Sequence, residues 1–423
     1  MAASGGRGGF AGWRVLAVAA LAVFLSGPGQ TFGVSVFLDP LLAETGWSRS
    51  LVSTIYSLAT LISAGVLLII GRQIDRLGHR VVLVGATIGF GCALFLTSSA
   101  QAPIVLLTGF ALLRTCGSGV LTLAARTLVP QWFVRRRGRA FSVLGVAGAL
   151  SLAAIPPFGE ALIRWTDWRT AWRIEAFIIV AILVPLVVIF VQDRPEDIGQ
   201  LPDGETQIDR ESAMLEGLGV ADGDSWTLQQ ARRLRAFWLL LGAGVVPALV
   251  ITGLSFNQVS IFTERGLPAG LAATTFAVES LVSLPTTVLS GWLSDRVPLR
   301  FVLAGSQAFL AAAVICLLFA DSPAMAVVYA AVRGVSTGLW SVAADVAWPS
   351  YFGRRHLGSI RGLTFAAGVA GAAIGPLPLG FAYDVFGRYE VALIGLLILP
   401  IGAVGAVLFA KPPGPPPVVS SSN

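Results

Sequence analysis

Long apolar runs and short polar breaks alternate along the whole chain. Twelve runs reach or approach the ~18 residues at which a continuous apolar stretch reads as a membrane-spanning helix. They predict spans at 13–38, 48–70, 81–99, 104–129, 139–163, 171–191, 236–262, 269–292, 299–319, 324–349, 358–382 and 389–410. The expected fold class is an all-α polytopic membrane protein with twelve transmembrane helices in two parallel six-helix repeats. Residues 1–12 form an N-terminal tail, 13–191 a first bundle, 192–235 a polar linker, 236–410 a second bundle and 411–423 a Pro- and Ser-rich tail. The first run is too long for a signal peptide, and no small-residue cleavage pattern closes it, so it reads as a retained span.

The two halves are one unit written twice. In the charged break from Gly71 to Arg80, the residues Gly71, Asp75, Arg76 and Arg80 return as Gly291, Asp295, Arg296 and Arg300, each 220 positions on. In span 4 and its exit, Arg114, Gly119, Pro130, Phe133, Arg135 and Arg136 return as Arg333, Gly338, Pro349, Phe352, Arg354 and Arg355, each 219 positions on. The matches keep to one side of the membrane, so the repeats are parallel. Orientation follows from arginine, because cytoplasmic loops collect Lys and Arg. The breaks after spans 2, 4, 8 and 10 carry twelve arginines, against six on the opposite side. Both termini and the linker are therefore expected in the cytoplasm.

Composition narrows the function. The chain is 55% hydrophobic and only 12% charged, against ~25% charged in a soluble domain. Its mean hydropathy is +0.79. A pI near 9.8 would suggest nucleic acid in a soluble protein. Here the basic residues belong to loops, so the bilayer is the partner and nucleic acid is not. Cys92, Cys116 and Cys316 lie in apolar runs without ligand spacing, and the two histidines, His79 and His356, fall in loops. Lys411 is the single lysine, so no phosphate-binding Gly-Lys-Ser/Thr loop exists. No cofactor, metal or enzymatic activity is expected.

The stretch Gly71 to Arg80 resembles the loop 2–3 signature of the major facilitator superfamily, whose two halves are parallel repeats. A degenerate copy runs from Gly291 to Arg300, and Leu113 to Gly119 resembles that superfamily's helix-4 arginine motif. Gly29 to Phe37, Arg194 to Gly204 and Tyr351 to Arg355 are similar to the bacterial monocarboxylate-porter and oxalate/formate-antiporter branch. The resemblance implies a secondary transporter of the bacterial inner membrane that works by alternating access. It also implies that Gly71, Asp75, Arg76 and Arg80, with Asp295 and Arg296, latch the halves together in the outward-open state. Two features depart from the pattern. Relatives in the monocarboxylate branch place an arginine late in helix 8, where this chain has Ser283, Thr286 and Thr287, and Glu279 as the helix's only charge. Helix 5 carries Ile155-Pro156-Pro157 in place of the antiporter signature.

Several residues could carry transport. Arg114 and Arg333 each lie about ten residues into their spans, ~15 Å of rise and so near the midplane. A centred arginine costs at least ~2.5–3.5 kcal/mol on insertion scales and needs a cavity or a partner. Each either binds a carboxylate or holds the bundle together through carbonyls or an acid. Glu279 lies at similar depth, as a proton carrier or as a structural partner of an arginine. Arg126 and Asp345 stand 219 positions apart near the cytoplasmic ends of spans 4 and 10, where a gating charge pair is expected. Gln30, Ser35, Asn257 and Gln258 offer polar groups to a cavity, and Tyr56 and Trp340 offer rings. Gly27-Pro28-Gly29 breaks span 1 and frees carbonyls, tolerable only where the backbone faces protein or a cavity. The expected function is proton-coupled transport of a small organic anion, a carboxylate, by a monomer. The alternatives are an exporter of a neutral, aromatic or cationic compound, and a non-transporting sensor or assembly factor.

Overall fold

A computed structural model describes residues 10–47, 49–204, 225–268 and 271–414. Among these residues twelve helices are long and apolar enough to cross a membrane, and no strand occurs. The first half holds α1 (inner segment Gly12–Leu25), α2 (Arg49–Leu77), α3 (His79–Ser98), α4 (Pro103–Trp132), α5 (Arg137–Trp165) and α6 (Trp168–Phe190). The second holds α7 (Arg235–Glu264), α8 (Leu271–Ser294), α9 (Leu299–Leu318) and α10 (Pro323–Phe352). It closes with α11 (Leu357–Ile374, continued as Pro376–Phe386) and α12 (Glu390–Phe409).

Local chemistry sets the ends. Pro103 and Pro323 open α4 and α10, at the helical position where a missing N–H costs nothing. Asp167 caps α6 by accepting from the backbone N–H groups of Arg169 at 2.8 Å and Thr170 at 3.0 Å. Pro28 interrupts α1. A 3₁₀ turn occupies Gly27–Gly29, and the outer part of the span resumes as Thr31–Val36 and Leu38–Thr45.

The charged stretch from Gly71 is not a loop. It forms the last two turns of α2, and the connection to α3 is Gly78 alone, with φ +84°. The apolar run marks where a helix leaves the hydrocarbon, not where it stops; beyond that level its backbone still bonds to itself. α4 and α10 overrun their predicted ends for the same reason.

Each half has its own core. Trp132 and Trp172 are fully buried in the first, and Phe237 and Phe352 in the second. Leu61, Ile69, Phe177, Phe381 and Phe409 are exposed on the outer faces, as lipid-facing positions of membrane helices are.

The halves meet where α2 crosses α11 and α5 crosses α8. A Cβ on Gly71 would strike the Gly358 carbonyl, and one on Gly138 the Gly291 carbonyl. Both crossings lie at one end of the bundle, here called the arginine-rich end because it carries Arg135, Arg136, Arg296, Arg354 and Arg355. They are the same contact under the repeat, since Gly71 and Gly291, and Gly138 and Gly358, each stand 220 apart.

The described parts of the linker dock at this end. Asp193 accepts from the backbone N–H groups of His79 and Arg80, the latter at 3.0 Å, and Asp203 from Val134 at 2.8 Å and Arg135 at 2.7 Å. Burial pushes the Asp193 carboxyl up, but its bonds to His79 and Arg80 outweigh this and hold it below the ordinary aspartate value.

Candidate functional site: two arginines, a charge cluster and paired caps

Arg333 and Arg114 occupy equivalent places and meet different surroundings. Arg333 is wholly buried on α10. It donates to Gln258 Oε1 at 2.9 Å, to the Tyr329 hydroxyl and to Glu279 Oε2. Glu279 Oε1 also accepts from Thr337 at 3.1 Å. The Tyr329 and Phe276 rings lie 5.0 and 5.4 Å from the guanidinium. Glu279 is therefore no isolated carboxylate. It neutralises Arg333, and Gln258 is spent on the same network.

Arg114 donates from Nη1 to the Gly29 carbonyl at 3.1 Å. Its Nε is buried without a partner. The Tyr56 ring lies 5.3 Å away, and the Tyr56 hydroxyl donates to Thr31 at 3.0 Å. The Gly29 carbonyl is available because the Gly-Pro-Gly turn leaves the α-helical ladder. On α4 the backbone widens at the same level into a π-helical segment, Arg114–Leu121. Such bulges recur at functional sites, and α10 has none at Arg333.

The repeat explains the asymmetry. The offsets of 220 and 219 map Glu279 to Ala59 and Tyr329 to Phe110. Both first-half residues are apolar and buried, at 0% and 2% exposure. Among the described residues Arg114 thus has no carboxylate partner. The remaining predicted residues are more dispersed. Gln30 donates to Ser26 at 3.4 Å, Asn257 to the Gly253 carbonyl at 3.0 Å, and Trp340 is half-buried on α10. The Ser35 side chain lies outside the described residues.

At the arginine-rich end, Asp345 bonds Arg126 from α4 through Oδ2 and Arg361 from α11 through Oδ1. This joins the two halves by a three-membered charge cluster. Arg361 counts only as a topology residue in the sequence, and nothing in its spacing points to Asp345.

Asp75 accepts from the N–H groups of Gly358 at 2.8 Å and Ser359 at 2.7 Å, capping α11. Asp295 does the same for α5, accepting from Gly138 at 2.8 Å and Arg139 at 3.3 Å. Burial raises the Asp295 carboxyl above the ordinary aspartate value despite those bonds. The arginines of the stretch point elsewhere than across the interface. Arg76 is exposed, Arg80 donates to Val188 within its own half, and Arg296 stacks on Trp292 at 4.2 Å. One further reciprocal pair crosses it: Gln131 donates to the Arg354 carbonyl at 2.8 Å, and Arg354 to the Gln131 carbonyl at 2.7 Å.

Comparison with known proteins agrees with this architecture. The Major Facilitator Superfamily profile matches residues 19–376, and again 251–422. An MFS transporter of Aspergillus flavus is 23% identical over 367 residues, 86% of this chain and 78% of the relative. A probable sulfoacetate transporter of Cupriavidus necator is 24% identical over 422 residues, covering 90% and 89% of the two chains. A probable nitrate/nitrite transporter of Mycobacterium tuberculosis is 26% identical over 380 residues, covering 85% and 88%. These relatives are named as transporters, not enzymes. With twelve spans in two repeated halves and a family match along most of its length, the chain is a multi-pass membrane transporter belonging to the Major Facilitator Superfamily.

Proposed function

We propose that this transporter moves a small organic anion and that Arg114 is its principal anchor. One observation carries the reading: of two arginines at equivalent depths, Arg333 is neutralised by Glu279 while Arg114 faces only a carbonyl and a ring. A half-buried guanidinium whose Nε is shut off from solvent and has no counter-ion favours an anion beside it. The neighbouring π-helical segment and broken α1 place backbone polar groups beside it. Relatives named for sulfoacetate and nitrate transport support an anionic substrate class wider than monocarboxylates. The monocarboxylate-branch likeness remains part of this proposal.

Glu279 is the proposed coupling residue. Its protonation cancels the carboxylate that holds Arg333 and frees a second cation for the substrate. The arginine-rich end is assigned to the cytoplasm of a bacterial inner membrane, with both termini on that side. On this assignment the caps and the charge cluster hold the inner end shut, and the described conformation is outward-open. Substrate binding then drives the halves to rock about the site as a monomer.

The test is a thermal-shift screen of purified protein against acetate, oxalate, sulfoacetate and nitrate. A ligand at 100 times its Kd stabilises by about 2.7 kcal/mol through mass action. Anions should raise the melting temperature of the wild type and not of Arg114→Gln. A neutral, aromatic or cationic compound that stabilises both proteins equally would favour the exporter reading.

A further inference from the structure

We propose that Glu175 is a second proton-binding site, in the first half, sealed by the outer segment of α1. Glu175 lies seven residues into α6, about 10 Å from the end opposite the arginine-rich one. It is 2% exposed, and neither carboxyl oxygen has a hydrogen-bond partner. An ionised carboxylate with no donor in a dry interior is the most expensive state it could adopt, so the group holds a proton here.

The surroundings are built to cover it. Gly159 on α5 leaves the slot: a Cβ there would lie 3.6 Å from Glu175 Oε1 and 3.4 Å from the Phe37 ring. Phe37 sits between the two outer pieces of α1 and stacks on Trp172, with centroids 4.5 Å apart and planes 18° off parallel. One turn before Glu175 on α6, the Trp172 indole N–H is also buried without an acceptor. A donor and an acceptor on one helix face are thus both unsatisfied while Phe37 is in place. The outer part of α1 hangs from the Gly27–Gly29 turn, so it can swing as a unit without unwinding the inner segment. When it lifts, water reaches the carboxyl and takes its proton, and the indole N–H can turn onto the carboxylate left behind.

The charged and titratable groups on the packed elements are otherwise engaged. On α1, Glu44 accepts from Arg169 at 3.0 Å and from the Trp168 indole; the Asp39 side chain lies outside the described residues. On α5, Glu160 pairs with Arg164. On α6 itself, Arg173 donates to Ser98 at 3.1 Å and lies over Phe95. On α3, the thiol of Cys92 faces outward, exposed.

The proposal rests on alternating access but not on the anion assignment. Its test needs no substrate: infrared spectroscopy of the full chain in lipid vesicles at neutral pH. A carbonyl band of a protonated, non-hydrogen-bonded carboxyl is expected in the wild type and in Glu279→Gln, and is lost in Glu175→Gln. In D₂O its deuterium shift should be slow in the wild type and at least tenfold faster in Phe37→Ala. Absence of the band from folded wild type, or its survival in Glu175→Gln, would overturn the site. Equal exchange in the wild type and Phe37→Ala would overturn the seal. Failure of anion binding at Arg114 would leave all three results unchanged.

Discussion

The Arg333–Glu279 pair makes the sharpest statement about single residues. Two opposite charges in a dry interior support each other, and removing one strands the other. Glu279→Gln should therefore destabilise the protein by about 3–5 kcal/mol, the usual cost of breaking a buried pair. Replacing both partners at once, Glu279→Leu with Arg333→Met, should recover most of that loss, because the charge requiring compensation is gone. Thermal unfolding in one detergent at one pH measures both. A double variant no more stable than the single would mean that Gln258, Tyr329 and Thr337 hold Arg333 without the acid. Arg114 predicts a much smaller effect on stability. Its charge has no carboxylate to lose, so Arg114→Gln should leave stability within about 1 kcal/mol while abolishing anion-dependent stabilisation.

At the scale of elements, the working parts are helix ends. Asp75 and Asp295 each satisfy N–H groups at the start of a helix in the opposite half, and removing such a cap typically costs ~1 kcal/mol and up to 2. Asp75→Ala and Asp295→Ala should each shift the equilibrium toward an open arginine-rich end by roughly 5–30-fold. Spin labels at exposed Arg76 and Arg355 should then report longer distances in both variants, and unchanged distances would remove the latch role. The linker gives a pH-dependent case. Asp193 has its value depressed in the fold, so its contribution is present above the free aspartate value of about 3.9 and fades as pH falls through the lower folded value. Asp193→Asn should lower the melting temperature at pH 7 and converge with the wild type in strong acid. The repeat made Gly71, Asp75 and their copies legible, because the same residues at one offset must serve the same contact. Their partners were not legible: a backbone N–H at Gly358 or Gly138 carries no side-chain signature. Arg361 was hidden for a related reason, being one arginine among many at that end.

At the scale of the molecule, symmetry and its breaking divide the labour. Where the halves match, as in Gly71/Gly358 and Gly291/Gly138, they make the same close backbone contact twice. Where equivalent positions carry opposite charges, as in Arg126 and Asp345, they attract across the interface. Where one half lacks a partner that the other keeps, as at Ala59 opposite Glu279, an arginine is left without a carboxylate. The spans and the repeat followed from apolar runs and offsets alone. The pairing of Glu279 with Arg333 did not, because residues 54 apart on two helices meet only through packing. If alternation proceeds by separating the arginine-rich end, a clamp there must stop it. Gln131 and Arg354 exchange reciprocal hydrogen bonds across the interface, so Gln131→Cys with Arg354→Cys, in a background lacking Cys92, Cys116 and Cys316, places two thiols at the seam. Joining them with a short cleavable cross-linker should abolish flux in proteoliposomes and restore it on cleavage. On the proposed outward-open assignment, ligand-induced stabilisation through Arg114 should persist in the clamped protein. Undiminished flux with complete cross-linking would mean the halves do not part at this end, and loss of ligand binding would mean the site is reached from it.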